Sequence, residues 1–214
     1  TLPYSKLFKS RMLNYSESGL SDADRWNWIE YHKWKFSSDM YMPIVGNLVA
    51  RFAAKFGTLG YYNEAYGISP FERFRIGGDG LVAWNQFGQE TYALRGYADN
   101  EVTINKNGQY FQGATVFNKY IMELRYPIML SPQSSIYTML FAEAGNGWEK
   151  FKDFDPFNVK KAYGLGVRFY LPMFGLLGFD YGLGVDKAVP TTLQNSSIFD
   201  KYGKFRFILS FEPQ

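Results

Sequence analysis

From Tyr163 onward the chain alternates. Tyr163, Leu165, Val167, Phe169 and Leu171 hold the odd positions, with Gly164, Gly166, Arg168 and Tyr170 between them. After a break over 172–175 the pattern resumes, with Leu177, Phe179, Tyr181, Leu183 and Val185 set against Gly178, Asp180, Gly182, Gly184 and Asp186. Successive side chains of a strand point to opposite faces, so a period of two predicts strands with one apolar face and one small or charged face. Leu48, Ala50, Phe52, Ala54 and Phe56 repeat the pattern against Val49, Arg51, Ala53, Lys55 and Gly57. So do Tyr120, Met122, Leu124 and Tyr126 against Lys119, Ile121, Glu123 and Arg125, and Phe205, Phe207, Leu209 and Phe211 against Lys204, Arg206, Ile208 and Ser210. The pattern predicts seven strands, near 28–42, 47–62, 115–128, 136–147, 162–172, 176–187 and 203–211. Each is about as long as a tilted strand needs to cross a bilayer.

Alternation alone fits two architectures, a soluble sandwich with its apolar faces turned inward and a membrane barrel with its apolar face turned to lipid. The connections separate them. Those at 43–46, 130–135 and 172–175 are tight, whereas 63–114, 148–161 and 188–202 are long and polar. Short turns on one side and long loops on the other mark an outer-membrane barrel. Trp28, Tyr31, Tyr41, Tyr61, Tyr62, Tyr126 and Trp148 crowd the strand ends, where an interfacial aromatic girdle belongs. The expected fold is all-β, a transmembrane antiparallel β-barrel in which 1–214 form part of one barrel domain. Bacterial barrels have an even strand number with both ends on the periplasmic side. Seven strands leave the segment before Trp28 on the long-loop side, and 1–26, with SESGLSDAD at 16–24, reads as an extracellular loop. The expectation is therefore a C-terminal portion of a larger barrel.

Composition narrows the chemistry. With 23 Lys+Arg against 20 Asp+Glu the net charge is only +3, which gives no case for a nucleic-acid partner. No Cys and a single His, His32, remove thiolate nucleophiles, Cys-based metal sites and an ordinary Ser-His relay. His32 shares the lipid-facing parity of Trp34 and Phe36, a girdle position. No enzyme activity, cofactor or metal is expected. The carboxylates Glu143, Asp180 and Asp186 read as charges on the polar face rather than as a catalytic pair. KFKDFDPF at 150–157 is too short of oxygen ligands for a calcium loop and reads as a solvated extracellular loop.

The connection 63–114 is the unusual one. Connections of that length without strand patterning are functional or disordered, and this one is aromatic and Gly-rich rather than charged. Gly77-Gly78 is followed by neither Gly-Lys-Ser/Thr nor a helix, so it is no phosphate loop; a turn packed closely against the barrel interior is the expectation. Residues 64–113 are therefore expected to enter the lumen.

FERFRIGGDGL at 71–81 followed by LRGY at 94–97 resembles the (V/L)RG(F/Y) loop of the BamA superfamily, the outer-membrane β-barrel assembly factors with their TamA and two-partner-secretion relatives. MELRYPI at 122–128, FAEAGNGW at 141–148, GLGVRFYLPMFGLLGFDYG at 164–182 and FRFILSFEP at 205–213 follow in the family's order. The resemblance implies a sixteen-stranded barrel behind periplasmic domains, with strands ten to sixteen here. It implies that the loop folds into the lumen through Arg95, Gly96 and Tyr97, with Arg95 docking on acidic residues. Strand parity independently offers Glu123 and Glu143 as acceptors, with Phe141 on the same face, placed to stack under the guanidinium. The residues alone leave Arg95 open between that role and a solvated loop arginine.

The resemblance also implies that the last strand, 203–211 with Phe205, Phe207, Leu209, Ser210 and Phe211, pairs weakly and forms a lateral gate. Ser210 stands where the family often has Gly, and Pro213 cannot donate to a ladder. The expected function is insertion and folding of client outer-membrane β-barrel proteins in a Gram-negative outer membrane, in a BAM-type complex with accessory lipoproteins and the lipid bilayer as partners. A passive pore, or a two-partner-secretion or TamA-like translocation barrel, is the alternative.

Overall fold

The computed structural model describes residues 30–62, 67–69, 71–78, 90–98, 101–102, 113–131, 134–171, 175–187 and 197–210, without the side chains of 199–200 and 206–210. The expected loop at 1–26 and Phe211 lie outside them. Seven long strands form one antiparallel sheet: β1 (Tyr31–Val45), β2 (Leu48–Tyr61), β5 (Val116–Ser131), β6 (Ser134–Trp148), β7 (Lys160–Leu171), β8 (Gly175–Gly184) and β9 (Gly203–Ser210). They pair in chain order, so every connection joins neighbours, and among the described residues β1 and β9 are the two edges. The all-β antiparallel fold expected from the period-two pattern is the one found.

The first turn is tighter than the sequence suggests. β1 continues through Pro43 to Val45, and only Gly46 and Asn47 remain between the strands, with Gly46 at φ +56°. Pro43 is tolerated because the register shifts beside it; Pro127 inside β5 sits at a similar shift.

Two short strands lie within the long connection. β3 (Phe74–Ile76) and β4 (Glu90–Tyr92) pair in parallel, a feature that no alternation predicts in pieces of three residues. Phe74 also bridges Ala114, which fastens β3 to the approach of β5.

The two faces of the sheet differ in chemistry. One carries Trp34, Phe36, Met40, Met122, Leu140, Leu165 and Phe179, all exposed, the apolar outward wall of a strand that meets lipid. His32 belongs to this wall, its ring 5.1 Å from Tyr62 and lying where a Cβ on Gly60 would go.

The other face is covered by the long connection. Phe74, Ile76, Leu94, Tyr97 and Val102 from the connection pack with Leu59, Phe117 and Ala162 from β2, β5 and β7 into one buried core. Glycines make the room. A Cβ on Gly57 would lie 2.9 Å from the Phe74 ring, and one on Gly147 would lie 2.6 Å from the Ile76 side chain. Gly77, at φ +111°, packs on the connection's own Ala98 carbonyl rather than on a strand.

Candidate functional site

Register brings charges from four strands onto the covered face. Arg51 of β2 lies opposite Glu123 of β5, Glu123 opposite Phe141 of β6, and Ile121 opposite Glu143. Gly166 of β7 lies opposite Asp180 of β8, so Asp180 stands at the far end of the same patch. Glu123, Glu143 and Asp180 are all buried, and buried carboxylates persist only when paired.

Arg95 enters this patch from the connection and is itself 5% exposed. One terminal guanidinium nitrogen lies 2.6 Å from Glu123 Oε1 and 2.8 Å from Glu143 Oε1. The backbone N–H of Arg95 donates to Glu143 Oε2 at 2.9 Å, so Glu143 grips both main chain and side chain. The guanidinium plane stands 3.7 Å from the Phe141 ring centroid, and Asp180 Oδ2 is 3.9 Å from the other terminal nitrogen. An arginine suits this place because its planar fork meets two carboxylates and an aromatic face at once, which a lysine cannot do.

The acids do not depend on Arg95 alone. Lys119 Nζ lies 3.0 Å from Glu143 and also donates to the Ala93 carbonyl, a second tie between β5 and the connection. Glu123 accepts from Arg125 at 2.6 Å and Arg51 at 3.2 Å. Arg168 binds Asp180 through two parallel bonds of 2.7 and 2.8 Å. Breaking a buried pair costs about 3 to 5 kcal/mol when it strands a charge, so this redundancy decides which substitutions the site tolerates.

Gly96 and Tyr97 complete the seat. Gly96, at φ +87°, lies flat on β8: a Cβ there would fall 2.8 Å from the Gly184 nitrogen. The complementary surface is also glycine, for a Cβ on Gly182 would fall 2.7 Å from the Gly96 nitrogen and one on Gly184 would fall 2.8 Å from its oxygen. Tyr97 is buried; its hydroxyl donates to the Lys161 carbonyl at 2.8 Å and accepts from the Asp186 N–H at 3.1 Å, clasping the ends of β7 and β8. Burial pushes this hydroxyl's pKa up to about 12, so it keeps its proton for that role.

A second anchor holds the connection to β1. Lys33 reaches Glu72 at 3.4 Å and Glu90 at 3.3 Å, and Lys35 reaches Glu90 at 3.0 Å. Burial opposes the charge on Glu90, but the Lys35 and Lys33 contacts hold its carboxyl below the usual range.

Thus Arg95, Gly96, Tyr97, Glu123, Phe141 and Glu143, separated by up to 48 positions, meet in one place. Sequence reasoning overlooked Gly182 and Gly184, readable only as small residues on a polar face, and Lys119 as a second partner of Glu143. Gly182 itself is covered, because Gly96 lies against it. One expectation is corrected. Asp186 does not join the buried charges; it is exposed in the turn beyond β8, where its carboxylate accepts the Lys161 N–H at 2.7 Å.

β9 pairs with β8 from Leu176 opposite Ser210 to Leu183 opposite Gly203. Phe205 is exposed on the outward wall, its ring 6.1 Å from Phe179. Phe207, Leu209 and Ser210 have their places in the ladder, while their side chains, like the whole of Phe211, lie outside the described residues.

The model of the Omp85 superfamily domain matches residues 25–211. This chain belongs to the Omp85 superfamily. The match spans all seven long strands and the buried arginine seat, in agreement with the resemblance to BamA-type proteins. None of the curated proteins searched matches the chain. Omp85 proteins are outer-membrane barrels that insert or translocate other proteins.

Proposed function

We propose that this Omp85 barrel inserts and folds client β-barrel proteins in the outer membrane, and that the sheet is the C-terminal portion of a sixteen-stranded barrel. In this reading the covered face is the lumen, the described parts of 64–113 (67–69, 71–78, 90–98, 101–102 and 113) belong to the inserted loop, the rest of which lies outside the described residues, and β9 is the gate strand that a client strand approaches. The observation that carries it is the seating of the arginine loop on β8, the strand that also supports β9. The loop holds β8 through Gly96 and Tyr97, and so gives the gate strand a fixed partner on one side. On its other side β9 would meet the barrel's first strand in this reading, and a strand edge that pairs only weakly there is a template for pairing with another chain.

The mechanism needs no covalent chemistry. A client strand pairs with β9, so its backbone polar groups are satisfied before they enter hydrocarbon, where each unsatisfied group costs several kcal/mol. Successive hairpins then follow into the bilayer. Accessory lipoproteins of a BAM-type complex would deliver the client, and no nucleotide or cofactor enters the cycle.

A photoreactive residue at Phe205 tests this reading in cells that are folding a stalled client barrel. Cross-links to the client's terminal strand are the expected result. Cross-links that form only to a secreted, non-barrel substrate would favour the translocation alternative.

A further inference from the structure

The connection between β6 and β7 does not behave as a solvated loop. After Trp148 a single 3₁₀ turn (Phe151–Asp153) turns the chain back over the outward wall of the sheet. Phe154 packs edge-on against Trp148 at 4.9 Å and against Phe56 of β2 at 5.5 Å, both of which point outward. Trp148 is only 6% exposed as a result. Two outward asparagines fix the returning backbone: Asn118 donates to the Pro156 carbonyl at 3.0 Å and Asn146 to the Asn158 carbonyl at 2.7 Å. The segment is thus tied down on the side of the sheet that faces lipid, at the level of the aromatic girdle.

What it then presents is unusual for a fixed segment. Phe157 is 88% exposed and Phe151 64%. Lys150, Lys152 and Lys161 are exposed beside them, and none of their ammonium groups forms an ion pair among the described residues. Asp155, by contrast, is committed to the Phe157 N–H at 3.0 Å.

Just below, the outward wall is hollowed. Ala142 and Ala144 of β6 lie between Tyr120 and Met122 of β5 on one side and Tyr163 and Lys161 of β7 on the other. The hollow extends across β2 to β1 and has a volume of about 610 Å³ with a mainly apolar lining, broken by Ser38, Glu143 and Lys161. Its shape and lining suit a hydrocarbon chain, and its polar end lies at Lys161.

We propose that segment 149–161 and the hollow beneath it form a binding site for one anionic phospholipid of the outer leaflet. An acyl chain lies along Ala142 and Ala144, the lipid phosphate meets Lys161 with Lys150 and Lys152, and Phe151 and Phe157 enter the bilayer interface beside it. Two arguments select this occupant over a protein partner. The hollow is continuous with the exposed apolar wall that an Omp85 barrel turns to lipid, and the exposed ammonium groups of Lys161, Lys150 and Lys152 form no ion pair among the described residues, which leaves them to meet an anionic headgroup. A lysine near an anionic membrane surface contributes about 1 kcal/mol, and aromatic rings favour the interface. The proposal rests on the outer-membrane reading and adds a defined lipid position to it.

The test uses the full protein in nanodiscs of phosphatidylcholine containing phosphatidylglycerol with a diazirine on one acyl chain, the adducts being mapped by mass spectrometry. The expected adducts concentrate on Ala142, Ala144 and Tyr163. Lys150→Gln, Lys152→Gln and Lys161→Gln should each lower that labelling, by up to about fivefold. Ala144→Leu, an outward substitution that leaves the buried core intact, should abolish it by filling the hollow. Phosphatidylcholine carrying the same diazirine should label these positions weakly. Labelling spread evenly along the outward wall, or equal for the two lipids, overturns the site while leaving the membrane barrel standing. Absence of adducts from every outward residue, Phe179 included, overturns both.

Discussion

Gly96 and Gly182 meet backbone to backbone: a Cβ on Gly182 would lie 2.7 Å from the Gly96 nitrogen. A loop seated this closely has no room for a side chain on β8. Gly182→Ala should therefore unseat 94–97 at a cost of about 1 to 3 kcal/mol, the usual penalty of overpacking, while the β7–β8 ladder survives. Hydrogen exchange checks it: the amides of Leu94 to Tyr97 should exchange faster and those of β7 should not.

The same contacts rank the charged residues. Removing Arg95 leaves Glu143 with Lys119 and Glu123 with Arg125 and Arg51, so no carboxylate is stranded. Removing Glu123 leaves Arg51, Arg95 and Arg125 sharing fewer acids. Glu123→Ala should lower the amount of folded protein in the membrane more than Arg95→Ala does. Heat-modifiability on gels, which separates folded from unfolded barrel, gives the comparison, and the reverse ranking would contradict the network.

Acid should loosen one anchor selectively. Glu90 has its pKa held below the ordinary carboxylate value of 4.5 by Lys35 and Lys33, against the effect of burial. A depressed folded-state value means that the stabilisation is present above pH 4.5 and is lost as pH falls through the lower, folded-state value. Protection of the β3–β4 amides should fall across that acid window ahead of β5 to β8. In Glu90→Gln the acid-dependent step should vanish.

The strand faces predict chemical accessibility. A Cys at Phe179, on the outward wall, should resist a water-soluble thiol reagent in the membrane. One at Lys55, half-buried at the cavity beneath Arg95, should react. Inverted labelling would mean a register slipped by one residue, which turns every side chain to the opposite face.

The sheet was legible in the sequence because a buried or lipid-facing strand writes its faces into alternate residues. The same parity placed Glu123, Phe141 and Glu143 on one face, which is why partners for Arg95 could be named from spacing. What the spacing could not show was depth. Gly164, Gly182 and Gly184 read alike as small positions, yet only the folded connection decides that Gly96 fills the space over two of them. The β3–β4 pair escaped because three-residue strands carry no period. The 149–159 segment reads as polar, and its outward course is set by Phe154, Asn118 and Asn146 acting across long separations. The expectations for Ser210 and Phe211 rest on resemblance to the family's terminal strand, and the described structure supplies only the ladder position of the first.

The central claim is that a seated Arg95 loop serves assembly rather than only stability, and the most direct measurement is client-barrel insertion per folded molecule in Arg95→Ala, with Arg95→Lys alongside. Insertion per folded molecule should fall by about five- to hundredfold, the range of ordinary site-to-site coupling, in Arg95→Ala while membrane abundance changes far less. Arg95→Lys should recover only part, since lysine lacks the fork that joins Glu123 to Glu143. Unchanged insertion per folded molecule, with abundance bearing the whole loss, would contradict the account.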